Sequence, residues 1–261
     1  MIYYKTSEEI EYIRQSSLLV SRALAEVAKH VKPGVTTIRL DKLADQFIRD
    51  HGGVPAFLGY RGFPNSACIS VNEVVVHGIP GEIVLKEGDI VSVDVGVLLE
   101  GFYGDSAYTF PVGEIDADKQ RLLKITRESL ELGVEQAKIG KRIGDIASTI
   151  QEFVEKNGYS IVRELVGHGV GKKLHEDPEV PNYGKRGSGA KLMEGLVIAI
   201  EPMVNMGKRN VMQANDGWTI FTEDHKPSAH FEHTVAITKN GPDVLTNFEF
   251  MEEIVAASVS D

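Results

Sequence analysis

Cysteine is nearly absent from this chain. Cys68 is the only one in 261 residues, so no internal disulfide can form, which fits a reducing compartment. Basic charge is scarce as well. Against 38 acidic residues stand 28 Lys and Arg, giving a net charge of −10, with a pI near 5.3. Such a surface is a poor partner for nucleic acid backbones and anionic membranes. No window reaches the roughly 18 apolar residues of a membrane span. The opening "MIYYKTSEEIEYIRQ" lacks the basic flank and apolar stretch of a secretory signal. These absences describe a soluble cytoplasmic protein. What remains is a chain 42% hydrophobic, able to bury a sizeable core.

The chain contains a faint internal repeat. In "KEGDIVSVD" and "LMEGLVIAIE", Glu87 matches Glu194, Gly88 matches Gly195 and Asp94 matches Glu201, each pair 107 apart. Upstream, Gly34 matches Gly140, Phe47 matches Phe153 and Gly52 matches Gly158, each 106 apart. A weaker echo sets "VHGI" at 76–79 against "GHGV" at 167–170. Each half reads as helix, helix, strands. Thr6 with Glu9 suits a capping box opening a helix that ends before Pro33-Gly34. A second helix runs from about Thr37 to Gly52-Gly53, and strands are expected near 67–76, 90–97 and 106–111. In the second half, Asp116 caps a helix reaching about Ala137, and a shorter one ends at Asn157-Gly158. Strands are expected near 161–166, 196–204, 218–222 and 231–238. The expected architecture is one α+β domain over 1–261: half one about 5–112, half two about 113–248, and a short C-terminal tail. A site built from equivalent positions would lie between the halves.

Few polar residues interrupt the apolar strands. Asp94 lies in "VSVDVGV", Glu201 in "VIAIEPMV" and Glu232 in "HFEHTVAIT", while Asp105 opens "DSAYTF" and His168 sits in "VGHGVGKKLH". A lone strand carboxylate is ordinarily at a sheet edge or tied to Arg or Lys. Here the flanking strands hold no Lys or Arg, and Asp94 and Glu201 share one place in the repeat. Buried charges need a partner. Four carboxylates and one imidazole balance two divalent cations, and oxygen with imidazole donors favours Mn, Fe, Co or Zn. Two metals roughly 3.5–4 Å apart activate water and polarise a carbonyl, which points to hydrolysis of an amide or related bond.

The ordered segments "SVNEVVVHGIP", "VSVDVGVLLEGFYGDSAYTF", "GHGVGKKLHEDPEVPNYG", "AIEPMV" and "FEHTVAIT" resemble the type I methionine aminopeptidases, with the pita-bread fold, from about residue 5 to 248. The resemblance implies removal of the initiator methionine from nascent polypeptides whose second residue is small. It implies that Asp94, Asp105, His168, Glu201 and Glu232 hold the two metals, with Asp105 and Glu232 bridging. It places His77 near the first peptide bond and His175 on the scissile carbonyl, and makes Glu201 the proton shuttle. The methionine pocket would be Tyr60, Phe63, Cys68 and Trp218, joined by Phe57. Phe57 and Leu174 depart from the usual cysteine and phenylalanine, although both stay apolar. A monovalent cation loop would map to Asn72, Val74 and Ser228. The implied partner is the N-terminus of a polypeptide emerging from the ribosome, with the enzyme a monomer.

The spacing from Glu201 to Glu232, 31 positions, leaves no room for the long insertion of type II enzymes. With one cysteine there is no N-terminal zinc-binding extension, as in the short bacterial or organellar form. One rival is a related Xaa-Pro hydrolase, whose members usually carry a large N-terminal domain. Another is a non-catalytic peptide-binding relative. Such relatives have lost metal ligands, and all five are present here.

Overall fold

The protein is described by a computed structural model covering residues 1–258. Helix α1 (Ser7–Ala28) opens on the expected capping box: the Glu9 amide donates to Thr6 Oγ1 at 3.2 Å, and the Thr6 amide donates to Glu9 Oε2 at 3.1 Å. Its fully buried face, with Leu19, Leu24 and Val27, lies on the first sheet. Each such side chain contributes about 1.5–3 kcal/mol by leaving water. Helix α2 (Thr37–Asp50) packs on α1. Then come β1 (Val54–Pro55), β2 (Ala67–Val71), β3 (Val74–Val76), β4 (Ile90–Leu99) and β5 (Phe102–Pro111). β1 and β2 both pair with one edge of β4, and β5 pairs with the other, all antiparallel.

The second half repeats the plan. Asp116 accepts from the Lys119 amide at 2.8 Å and caps α3 (Ala117–Glu135), which packs on α4 (Ile143–Lys156). The strands are β6 (Ser160–Ile161), β7 (Gly167–Gly169), β8 (Glu176–Val180), β9 (Val197–Ile200), β10 (Met203–Asn205), β11 (Val211–Gln213), β12 (Ile220–Thr222), β13 (Ser228–His230), β14 (His233–Thr238) and β15 (Gly241–Val244). A five-stranded sheet runs β15-β14-β9-β7-β8, and three-stranded sheets run β13-β10-β6 and β11-β12-β3.

The repeat is visible bond by bond. The Gly34 amide donates to the Leu85 carbonyl at 2.8 Å, and the Gly140 amide to the Leu192 carbonyl at 3.2 Å. Both glycines have φ of +90°, which a side chain would strain. Isolated bridges join Thr36 to Val84 in one half and Arg142 to Lys191 in the other.

Four expectations need correction. The strand expected at 67–76 is two strands, β2 and β3, which turn at Asn72 (φ +51°) and join different sheets. The strand expected at 196–204 is two strands, because Pro202 has no N–H to continue a ladder. β9 pairs with β14 and β7, whereas β10 pairs with β13 and β6. The strand expected at 161–166 shrinks to Ser160–Ile161. The C-terminal tail carries a helix, α5 (Glu249–Ser258), which packs on α1.

Candidate metal centre

The sheet switch positions the acids. Glu201 follows β9 and precedes β10, and Glu232 sits in the gap between β13 and β14. Because β9 pairs with β14 and β10 with β13, the two gaps lie side by side, and Glu201 and Glu232 meet across them. Half one is stitched to this gap. The Glu232 amide donates to the Ala107 carbonyl at 2.9 Å, and Ser106 Oγ donates to the Glu232 carbonyl at 2.7 Å. Asp105 therefore lies beside Glu232, and within β5 rather than at its start. Asp94, in mid-β4, pairs with Cys68 on one side and Ala107 on the other.

His168 enters from β7. Its two glycine neighbours are required by close packing: a Cβ at Gly167 would lie 2.3 Å from the Ala199 carbonyl oxygen, and one at Gly169 would lie 2.4 Å from that of Asp177. Ring atom Nδ1 lies 2.9 Å from the Gly169 carbonyl. A carbonyl only accepts, so Nδ1 carries the proton and Nε2 presents a lone pair. That lone pair faces Asp105 Oδ2 at 3.7 Å and Glu201 Oε1 at 3.6 Å. Asp105, His168 and Glu232 each offer a ligand atom within 4.8 Å of the others.

Among the described residues, no Lys or Arg forms an ion pair with these acids, and only histidines face them. Asp94 Oδ1, Asp105 Oδ1 and Glu232 Oε1 are enclosed and have no hydrogen-bond partner. Burial pushes the Asp94 carboxyl up to about 7. Burial also raises Asp105, Glu201 and Glu232 well above the usual carboxylate range, and their mutual repulsion adds to it. Burial lowers His168 to about 4, which keeps the imidazole neutral. Acceptor atoms facing one another at 3.6–3.7 Å repel unless a cation stands between them. The donor set thus fits divalent cations, and every donor is oxygen or imidazole nitrogen.

The acids line a cavity of about 270 Å³ whose other wall is apolar and aromatic. Phe57, Phe63, Cys68 and Leu174 form a small buried cluster there, with Tyr60 and Trp218 packed against it. Phe63 and Trp218 meet edge to face, 5.2 Å apart. Burial raises the Cys68 thiol well above its ordinary value, so it is a wall and not a nucleophile. His77, at φ +58°, lies edge-on to Trp218 with 6.3 Å between centroids. His175 stands at the mouth, stacked on Tyr60 with 5.2 Å between centroids and tilted against His168 at 4.0 Å. Partial burial lowers its pKa, with His168, Arg61 and His77 pushing the same way, although solvent reaches one side of the ring and limits the shift. A larger groove of about 1070 Å³, lined from Val31 to Val255, gathers no imidazole and no buried acid.

The match to known proteins is decisive. The model of metallopeptidase family M24 spans residues 11–239. The chain belongs to this family. Among its relatives is a methionine aminopeptidase of Clostridium perfringens, 52% identical over 94% of this chain and 99% of that protein. The crystal structure of methionine aminopeptidase from Thermotoga maritima superposes with a TM-score of 0.93 at 48% identity, covering 95% of this chain and all of that one. Prolidase from Pyrococcus furiosus is similar at a TM-score of 0.77 and 25% identity, and the chain covers 65% of it. The two-halved α+β architecture of this M24 member is the pita-bread fold that its sequence resembles.

Every residue singled out for the metals, the chemistry and the methionine pocket lines the cavity or its apolar wall, whereas Asn72, Val74 and Ser228 do not. Sequence reasoning missed His230, Arg61, Glu164, Leu165, Val166, Val76 and Met203, which line it too. His230 had a signal. In an extended "HFEH", period two puts His230 and Glu232 on one face and turns His233 away. His233 Nδ1 indeed lies 2.7 Å from Thr246 Oγ1, outside the cavity.

Proposed function

We propose that this M24 chain is a methionyl aminopeptidase. It hydrolyses the bond after an N-terminal methionine when the next residue is small. The observation that carries this reading is the neutral His168 lone pair facing two carboxylates, inside a four-acid cluster that opens onto an apolar pocket. Asp94, Asp105, His168, Glu201 and Glu232 would hold two divalent cations, Mn, Fe, Co or Zn, with Asp105 and Glu232 shared. Bound there, the cations would supply an activated water at neutral pH and polarise the scissile carbonyl.

The chain's own residues do the rest. Phe57, Tyr60, Phe63, Cys68 and Trp218 receive the methionine side chain, whose thioether gains contacts with the aromatic edges. The volume of about 270 Å³ is small beside the roughly 300–1,000 Å³ of ordinary ligand sites, which suits one methionine and a short side chain after it. His77 sits where the first peptide bond would run. His175, at the mouth, donates to the oxyanion of the tetrahedral intermediate. Glu201 takes the proton of the attacking water and passes it to the departing amine. The C–N bond breaks, and free methionine and a new N-terminus leave.

Residues 5–112 and 113–248 act as the two halves of a single catalytic domain. The working form in this proposal is a cytoplasmic monomer acting on polypeptides as they leave the ribosome. Its acidic balance argues against nucleic acid contacts of its own, and no helix among the described residues is long and apolar enough to cross a membrane. A monovalent cation beside Asn72, Val74 and Ser228 belongs to the same reading. Support for it is that the Ser228 amide donates to the Asn72 carbonyl at 2.9 Å, bringing those positions together.

Metal-loaded protein assayed on Met-Ala-Ser, Lys-Ala-Ser, Glu-Ala-Ser and Met-Pro peptides tests the reading. Rapid release of methionine from Met-Ala-Ser, with Lys-Ala-Ser and Glu-Ala-Ser nearly inert, is expected. Comparable turnover of Lys-Ala-Ser, or cleavage confined to Xaa-Pro bonds, would overturn it.

A further inference from the structure

His230 has no role in the proposal above, yet its backbone is firmly placed and its ring is buried in the cavity. Its backbone is tied twice to one side chain: its amide donates to Thr109 Oγ1 at 2.9 Å, and Thr109 Oγ1 lies 2.7 Å from its carbonyl. Thr109 Oγ1 is also 2.8 Å from Ser92 Oγ, which anchors the arrangement in β4 and β5. On its other side, His230 pairs with Met203, two residues beyond Glu201. The ring is 2% exposed, and its Nε2 is enclosed without a hydrogen-bond partner. That orphan nitrogen points at Glu201 Oε2, 3.7 Å away.

The two oxygens of Glu201 thus face different imidazoles. Oε1 faces His168 Nε2, and Oε2 faces His230 Nε2. His168 belongs to a group of three converging donor residues, with Asp105 and Glu232, whereas His230 joins no such group among the described residues. A nitrogen with a single acid in reach is placed to hydrogen-bond that acid and not to share an ion.

We propose that His230 is a positioning residue. Its Nε2–H donates to Glu201 Oε2 and so aims Glu201 Oε1 toward His168 Nε2, where the two would hold a cation. The inference rests on the reading of Glu201 as a metal ligand. The gap of 3.7 Å exceeds an N–H···O bond by roughly 0.5 Å, and a turn of the carboxylate about its soft terminal torsion closes it. With a cation bound, Glu201 would be ionised and would only accept, which selects the Nε2–H tautomer of His230. Partners that hold ligating groups in this way typically contribute about 10–100-fold to metal affinity or activity.

The test is titration of metal-free protein with Mn²⁺, followed calorimetrically, and with Co²⁺, followed by its visible absorption. His230→Leu keeps most of the ring's volume and removes the donor. His230→Gln offers an amide N–H in its place. His230→Leu should bind two ions, the second about 10–100-fold more weakly and with a changed Co²⁺ spectrum. His230→Gln should bind within about threefold of wild type, and kcat should follow affinity while KM for Met-Ala-Ser changes little. Wild-type affinity in His230→Leu would overturn the proposal. So would a stoichiometry of one, which would make His230 a ligand. Equal losses in Leu and Gln would show that the imidazole acts by something other than donation. Glu201→Gln in the same titration separates the two readings: if it binds both ions as wild type does, the ligand assignment of Glu201 fails, and His230 has nothing to position. If it weakens binding while His230→Leu does not, only the His230 proposal fails.

Discussion

Asp94 and Glu201 hold the same place in the two halves of the molecule, 107 residues apart, and live in different company. Asp94 lies in mid-strand with Cys68 and Ala107 as neighbours, and one of its oxygens has no partner. Glu201 sits at a break between two sheets, with an imidazole facing each oxygen. The nearest counterpart of His168 in half one is His77, which is turned toward Trp218 and the apolar pocket. The scaffold is symmetric and the site is not. Each half supplies two acids; half one adds most of the pocket wall, and half two adds the imidazoles of His168 and His230 that face Glu201.

The strongest way to break this comparison is to remove an acid that joins the halves. Glu232 is stitched to β5 through Ala107 and Ser106. We expect Glu232→Gln and Asp105→Asn to lower kcat by more than the roughly 10³-fold upper range for losing one oxyanion donor. Both should bind less metal, measured by elemental analysis after gel filtration. Full activity with unchanged metal content would show that these acids are not shared ligands.

The histidines come next. His168→Ala should release metal, and excess metal should partly restore turnover. His175→Ala should keep its metal and lose about 10²–10³ in kcat, roughly 3–4 kcal/mol, with KM changing much less and no rescue by added metal. A His175→Ala protein that has lost an ion, or a His168→Ala protein that keeps both ions at wild-type affinity, would reverse the division of labour.

The smallest effect is on the stability of metal-free protein. Asp94 in the fold titrates near 7 against an ordinary value of 3.8. The folded chain holds a proton that the unfolded chain has released, so this contribution is complete below 3.8 and is lost as pH rises through about 7. His168 works oppositely: lowered to about 4 from 6.5, it favours the folded state more as pH rises through that window and adds nothing further above it. His230 and His233, lowered by burial to about 3, act as His168 does, and all three are common to wild type and Asp94→Asn, so the difference between the two proteins isolates the acid, at up to about 1.4 kcal/mol per proton per pH unit. In chelator, the urea midpoint of wild type minus that of Asp94→Asn should therefore fall from pH 6.5 to 8. Equal slopes in the two proteins would mean that Asp94 is ionised in the metal-free fold.

Much of this was legible in the sequence where local chemistry decides. Thr6 with Glu9 and Asp116 with the Lys119 amide mark helix starts by bonds that span three residues. The repeated glycines marked the equivalent turns. The acids were legible because each interrupts an apolar strand without a basic partner. Other features depend on distant pairing. The split at Pro202 follows from β9 and β10 joining different sheets. Strand β8 carries "EDPEV", whose charges hide it until β7 claims its edge. His230 is not marked by its own neighbourhood alone, because what distinguishes it is Glu201, 29 positions earlier and facing it only through the β10–β13 pairing.

The central claim is a two-ion centre shared between the halves. A crystal of Mn²⁺-loaded protein, measured for anomalous scattering, tests it most directly. The account predicts two peaks roughly 3.5–4 Å apart, one against Asp94 and the other against His168 and Glu201, with Asp105 and Glu232 between them. A single peak at full Mn²⁺ saturation, or two peaks of which neither touches Asp94, would contradict it.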